Sequence, residues 1–311
     1  MATYLVTGAA GFVGSHLSER LLERGDAVRG VDAFTDYYDR AVKEANLERL
    51  RDSGGFELHE ADLAEAALEP LLEGVDGVFH LAAQPGVRGS WGATFAIYAK
   101  DNLVATQRLF EAASRFGKRV VFASSSSVYG DAETYPTTED LRPKPVSPYG
   151  VTKLTCEHLA RVYGSSFGLD VIALRYFTVY GPRQRPDMAF TRIAKALANG
   201  GRFTVLGTGR QSRDFTYVDD AVSATLLSME AGRAGAVYNV GGGTEATLSE
   251  IIELGERLSG RSLEIVKEPP AAGDVKRTSA DTGRIRRDTG WGPKIPLEAG
   301  FLEQLAWAGA L

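Results

Sequence analysis

The sequence predicts an α/β protein: a doubly wound parallel sheet with a smaller α/β lobe toward its C-terminal end. Three observations carry that expectation. Short apolar runs alternate with longer amphipathic stretches through the first half of the chain. A glycine-spaced loop joins the first run to the first amphipathic stretch. After Tyr176 the alternation gives way to segments rich in Pro, Gly and Arg.

The apolar runs fall at 4–7, 27–31, 56–60, 77–81, 119–123 and 170–174, with helical periodicity at 12–24, 95–116 and 149–167 between them. Strand, helix, strand in repetition requires crossover connections, which place helices on both faces of a parallel sheet. Beyond Tyr176 the pattern predicts one clear helix near 191–198, a strand at 237–240 and a helix near 248–258.

The chain has 311 residues, 44% of them hydrophobic and 24% charged, which suffices for one large core or two smaller ones. A net charge of -5 gives no basic face for nucleic acid. The single cysteine, Cys156, excludes an internal disulfide framework and an all-cysteine zinc site. No apolar run reaches membrane-spanning length, and Met1-Ala2-Thr3 leads directly into a strand rather than a secretion signal. The expectation is a cytoplasmic globular protein with no membrane or nucleic-acid partner.

The first strand runs into Gly8-Ala9-Ala10-Gly11-Phe12-Val13-Gly14, and a helix begins at once. Glycines in that position permit a tight turn and let the backbone approach a pyrophosphate at the positive end of the helix, which predicts a Rossmann-type site. Asp32 ends the second strand, where a carboxylate can accept from both ribose hydroxyls and repel a 2′-phosphate. The cofactor expected is therefore NAD rather than NADP. Asp62 and Leu63, after the third strand, are placed for the adenine edge. The expected division is residues 1–175 with about 217–240 as the NAD-binding domain, and about 176–216 with 241–311 as the lobe.

Ser147-Pro148-Tyr149-Gly150-Val151-Thr152-Lys153 opens a helix, with Ser147 as N-cap and Pro148 at the first helical position. Tyr149 and Lys153 project from one face. An ammonium beside a phenol favours the phenolate, giving a base for a sugar hydroxyl. Ser124-Ser125-Ser126-Ser127-Val128-Tyr129-Gly130 follows the fifth strand and sets hydroxyls at the sheet edge where ligands of such folds bind.

Together, Thr7-Gly8-x-x-Gly11-x-x-Gly14, His80-Leu81-Ala82-Ala83, the serine run and Tyr149-x-x-x-Lys153 resemble the extended short-chain dehydrogenases, in that family's order and over nearly the whole chain. The resemblance implies Ser125, Tyr149 and Lys153 as the catalytic trio. It implies Phe12, Val13, Lys43, Leu81, Ala82, Ala83, Asn102, Ser124 and Tyr176 beside the cofactor, with Gly8, Gly11, Gly14 and Asp32. The family works on nucleotide-activated sugars, and Arg213-Asp214-Phe215 resembles its diphosphate-binding motif, with Gln211 just before it.

Dehydratases of this family carry an Asp-Glu pair before the Val-Tyr-Gly, and decarboxylases a Glu. This chain has Ser126 and Ser127 there, which leaves reversible oxidation and reduction of one carbon, an epimerisation. Asp36-Tyr37-Tyr38-Asp39 with Lys43-Glu44-Ala45, Gln84-Pro85-Gly86-Val87-Arg88, and the stretch from Arg175 to Met188 resemble UDP-glucuronate 4-epimerases. Thr178 stands where neutral-hexose epimerases have Asn. Hydroxyls of Ser126, Ser127 and Thr178 can donate to a carboxylate, and Arg185 supplies a positive charge. The lesser reading of Arg185 is a loop arginine paired with an acid such as Asp187. Arg88 and Arg277 complete the substrate-side candidates; other members place the second diphosphate arginine a few positions before Arg277, where this chain has Ala271 and Ala272.

The partners expected are a UDP-sugar and a second copy of the chain. The rival readings are a neutral UDP-sugar epimerase, a UDP-glucuronate decarboxylase and a non-catalytic NAD-binding regulator. His16, His59, His80 and His158 lack metal-like spacing, His80 reads as a packed residue, and Cys156 as a small apolar one.

Overall fold

The structure, a computed structural model, describes residues 1–311. Its strands are β1 (Thr3–Thr7), β2 (Ala27–Asp32), β3 (Phe56–Glu60), β4 (Gly77–His80), β5 (Arg119–Ser125), β6 (Val171–Tyr176), β7 (Thr178–Tyr180), β8 (Arg202–Leu206), β9 (Ser212–Tyr217), β10 (Val237–Val240), β11 (Thr244–Thr247) and β12 (Glu264–Glu268). The helices are α1 (Phe12–Glu23), α2 (Arg40–Arg51), α3 (Glu69–Leu72), α4 (Phe95–Tyr98), α5 (Ala105–Arg115), α6 (Pro148–Phe167), α7 (Ala189–Asn199), α8 (Val218–Ala231), α9 (Leu248–Ser259), α10 (Gly283–Thr289) and α11 (Leu297–Trp307).

Seven strands form one parallel sheet in the order β10-β6-β5-β4-β1-β2-β3, the doubly wound arrangement expected from the alternation. The chain winds outward from β1 through β2 and β3, then returns to β4 on the other side. That reversal leaves a crevice at the carboxyl ends of β1 and β4. Alternate residues of each strand serve different faces. Leu5, Val78, Val120, Phe122 and Val171 face a core with Leu109, Phe110 and Tyr163 of α5 and α6. Val6, Phe79, Val121 and Ile172 face the opposite core, with Leu17 and Leu21 of α1 and Val222 of α8. Each large apolar side chain buried this way contributes roughly 1.5–3 kcal/mol.

That second core continues without a break into the C-terminal part, where Tyr180, Phe190, Phe215, Tyr217 and Phe301 cluster. A three-stranded sheet, β11-β9-β7, and a two-stranded one, β12-β8, build this region. Here the sequence expectation falls short, because β7, β8, β9, β11 and β12 read as loops. Charged or polar side chains interrupt them, so no continuous apolar run of the kind seen at β4, β5 and β6 sets them off from the Pro-, Gly- and Arg-rich segments around them.

The single helix expected at 95–116 is also interrupted. α4 passes through π-helical turns at Ala99–Val104 before α5 begins. No helix is long and apolar enough to cross a membrane.

Candidate active site

A cleft of about 710 Å³ opens at the carboxyl ends of β1, β4 and β5 and runs on to β7 and β9. Its cofactor-sized floor is built by the glycine loop. Gly8 has φ 72°, and a side chain there would sit 2.9 Å from the Ala82 nitrogen; one at Gly14 would sit 2.1 Å from the Gly8 carbonyl. The loop can therefore pack against Leu81 and Ala82 only without side chains.

α1 starts at Phe12 with Gly11 as its N-cap, no capping side chain and no acidic residue in its first turn. Its first amides and the positive end of its dipole are open to the cleft, as an anionic pyrophosphate requires. Phe12, Val13 and Ala83 line the same floor.

Asp32, 8% exposed at the end of β2, accepts from Phe34 N (2.9 Å) and Lys43 Nζ (3.1 Å) on Oδ1, and from Ala10 N (3.2 Å) on Oδ2. Two carboxylate oxygens offer about four acceptor directions, so one on Oδ2 remains for a ribose hydroxyl. Lys43 thus meets the cofactor side through Asp32, from α2. Asp62 is held by Lys100 Nζ (2.8 Å) and Ala64 N (2.8 Å), beside Leu63 on the cleft wall. Tyr176 lines the wall with its hydroxyl on Thr225.

Asn102 does not line this wall. Its Oδ1 accepts from Gln84 N (2.7 Å), and its Nδ2 donates to Gln84 O (3.1 Å) and Thr152 Oγ1 (3.0 Å). Buried in the π-helical turns, it clips the loop after β4 to α6, a positioning role the resemblance did not distinguish from cofactor contact.

Ser125 ends β5 and caps a short 3₁₀ turn at Ser126–Val128, its hydroxyl accepting from Ser127 N at 3.1 Å. α6 opens with Ser147 accepting from Gly150 N and Pro148 in its first turn, which delivers Tyr149 to the cleft beside the serines. Burial pushes the Tyr149 phenol above its ordinary value; the Arg185 guanidinium and then the Ser125 hydroxyl pull it back.

Lys153 lines the same cleft as Tyr149, one helical turn further along α6. Lys153 Nζ donates to the Ala123 carbonyl (2.8 Å), and burial pulls its own pKa down to about 8. One turn further, Glu157 receives the Ser124 hydroxyl and a two-pronged contact from Arg175 (2.9 and 2.6 Å), fastening the serine strand to α6.

The far side of the cleft carries four arginines, Arg88, Arg185, Arg192 and Arg213, of which the first two are paired with acids. Thr178 opens β7 facing the serines, with Arg185 in the following loop. Arg185 donates through Nε and Nη2 to Asp187 (3.0 and 3.1 Å), the loop pairing that the sequence left open. Arg88 donates to Asp274 at 2.7 Å.

Arg213 on β9 has no such partner. Its Nη1 donates only to the Ser212 carbonyl (2.8 Å), and burial pulls its pKa down, partly offset by Asp274. Gln211 lies beside it in the lining, its amide on the Leu206 carbonyl. Buried Asp214 braces the strand by accepting from Gly242 N (2.8 Å) and Ala280 N (2.9 Å), and burial raises its carboxyl to about 6.

Arg277, expected among the substrate-side residues, lies outside the cleft lining. It makes a two-pronged contact with Glu245 (2.8 Å each) and lies over the Tyr135 ring at 4.5 Å, so its charge is spent at the rim. Asp274 and Tyr37 line the cleft without having been singled out as contacts, since their partners are 186 and 150 residues away in sequence. His80 is fully buried between Thr7 Oγ1 (2.8 Å) and Thr106 Oγ1 (2.9 Å), and burial pulls it down to about 3, a packed neutral imidazole. Cys156 is buried.

A family model described as NAD dependent epimerase/dehydratase family matches residues 4–241. The chain is 43% identical, over 99% of its length and 98% of the relative's, to a Bacillus subtilis (strain 168) protein named uncharacterized UDP-glucose epimerase YtcB. It is 38% identical to UDP-glucuronate 4-epimerase of Thermodesulfobacterium geofontis (strain OPF15), over 99% and 96% of the two chains. Among solved structures it superposes on UDP-glucuronic acid 4-epimerase from Bacillus cereus, in complex with UDP-glucuronic acid and NAD, with TM-score 0.96 and 40% identity over 98% of each chain.

Proposed function

The chain belongs to the NAD-dependent epimerase/dehydratase family, and on that premise we propose that it inverts C4 of UDP-glucuronate to give UDP-galacturonate. The observation that carries this reading is the sugar end of the cleft. Tyr149 shares it with the hydroxyls of Ser125, Ser126, Ser127 and Thr178 and with Arg185, and no carboxylate stands in the serine run to drive elimination.

The glycine loop, the open α1 terminus and Asp32 fit NAD, which when bound supplies reversible hydride acceptance at the sugar carbon. Tyr149 takes the C4 hydroxyl proton and returns it, poised by Arg185 and Ser125. Lys153 keeps a cationic donor at the floor. Arg213, with Gln211, holds the diphosphate, and its lack of an acid partner supports that role. Arg88 is assigned to the nucleotide side through its place in the lining.

A β-keto acid loses carbon dioxide when the scissile bond aligns with the carbonyl π system. Donors from Ser126, Ser127, Thr178 and Arg185 hold the carboxylate out of that alignment.

The exposed apolar side chains Ile97 of α4, Val104 of the π-helical turns, and Val151 and Val162 of α6 support a homodimer built on those helices. A cytoplasmic site of action fits a single, buried cysteine. The functional division follows the same lines, with 1–175 and about 217–240 holding NAD, and about 176–216 and 241–311 holding the UDP-sugar.

A second reading, epimerisation of a neutral UDP-hexose, is favoured by the Arg185–Asp187 pairing, which leaves less free charge for a carboxylate. Incubating the NAD-loaded protein with UDP-glucuronate or with UDP-glucose, and identifying products by NMR and mass spectrometry, separates the two. UDP-galacturonate with no net NAD consumption is the expected outcome; UDP-galactose alone selects the second reading.

A further inference from the structure

Arg185 reaches the sugar end of the cleft already compensated. Its Nε and Nη2 donate to the two carboxylate oxygens of Asp187, two residues on in the loop between β7 and α7. Asp187 is itself anchored from the other side of the cleft. Tyr37, in the loop before α2, donates its hydroxyl to Asp187 Oδ2 at 3.3 Å, and the guanidinium lies over the Tyr37 ring at 5.8 Å. Tyr37 packs close over Gly86, where a Cβ would approach its hydroxyl to 2.5 Å. Tyr37, Arg185 and Asp187 line the same cleft as Tyr149 and Thr178.

The electrostatic consequence depends on the ligand. A partly buried guanidinium with no counter-charge is costly to cover with a neutral sugar, because the ligand takes its water and returns no charge. With Asp187 in place, a neutral hexose can cover Arg185 without stranding it. A uronate, by contrast, must share the guanidinium with a carboxylate already there, and the two anions repel. The Asp187 contact uses the Nε–Nη2 edge and leaves the Nη1 donors for the ligand.

We infer that Asp187, anchored by Tyr37, is a positioning residue that sets the selectivity of this site between uronate and neutral-hexose forms of the same UDP-sugar, keeping both classes bindable. This rests on the epimerase reading for the identity of the ligands.

The test is the ratio of dissociation constants for UDP-glucuronate and UDP-glucose, measured by calorimetry on the NAD-loaded protein. Asp187→Asn preserves shape and removes the charge. It should tighten UDP-glucuronate about tenfold while leaving UDP-glucose within about twofold, the scale of one partly screened charge. Asp187→Glu, which restores the charge, should bring the ratio back toward the parent value. Tyr37→Phe, which keeps the ring and frees Asp187 from its anchor, should move the ratio the same way by about two- to threefold.

An unchanged ratio in Asp187→Asn, or a uronate affinity that falls, overturns the inference and makes Asp187 a mere loop brace. If Asp187→Asn fails to fold, an unchanged ratio in Tyr37→Phe overturns it. Turnover distinguishes the two levels. A parent that epimerises UDP-glucuronate while the ratio stays fixed defeats only the selectivity role. A ratio that shifts in a protein unable to epimerise either sugar defeats only the epimerase reading.

Discussion

The two sides of the cleft are built by opposite means. On the cofactor side, the glycine loop, Asp32 and Asp62 sit at strand ends or in the turns just after them, and Asp32 is held by amides of Ala10 and Phe34 from adjoining turns. On the sugar side, loop arginines are restrained by acids, Asp187 from the same loop on Arg185 and Asp274 from a remote segment on Arg88, with Glu245 on Arg277 at the rim, while Arg213 on β9 has no acid partner. A parallel sheet fixes its strand ends through the whole hydrogen-bond ladder, so a site there needs little extra support. Loop cations need partners, and each partner lowers the charge left for a ligand. The cofactor side is thus fixed by fold, and the sugar side tuned by charge balance.

The largest test falls where the two sides meet. Tyr149→Phe keeps the ring between them and removes the proton carrier, so turnover should fall roughly 10²–10⁴-fold with NAD still bound. A variant with parent-like turnover would leave Tyr149 outside the chemistry.

Next is the fold-fixed side. Lys153 has a folded pKa of about 8 against 10.5 in the unfolded chain. Between those values the unfolded state binds the extra proton, so stability rises with pH across the window and is lost as pH falls through 8. The slope is on the order of 1 kcal/mol per pH unit. Nucleotide-free parent minus Lys153→Met stability, from urea unfolding at pH 7 to 10, should therefore climb; a flat difference would mean that Lys153 is not desolvated.

On the charge-balanced side, Arg213 lacks an acid partner and Arg88 has one. Arg213→Ala should cost about 1.5–3 kcal/mol of UDP-sugar affinity. Arg88→Ala should cost less, about 1 kcal/mol or below, because Asp274 already compensates that charge. Calorimetric titration with UDP decides it, and equal losses would erase the contrast between paired and unpaired cations.

The smallest effect is expected at Arg277, whose contacts lie at the rim. Arg277→Ala should change UDP-sugar affinity and stability by no more than about 0.5–1 kcal/mol. A larger loss of affinity would return Arg277 to the diphosphate.

The sequence by itself determined the large sheet, the glycine loop, Asp32, the serine run and the tyrosine–lysine helix. Those features are local: a strand, a turn and a helix end follow one another within a dozen residues, and their periodicity and turn chemistry stand in the primary sequence. Only the tertiary structure decided which way the charges point. Asn102 turned inward to clip Gln84 and Thr152, Lys153 anchored one of its three ammonium donors on the Ala123 carbonyl, and Arg277 turned to Glu245. The five short strands of the C-terminal part were equally hidden, because their burial comes from β-pairing and aromatic packing across the fold. Hydrogen bonds and ion pairs depend on distances of a few ångströms between segments remote in sequence, such as Arg88 and Asp274 at 186 residues' separation, and no local pattern encodes them.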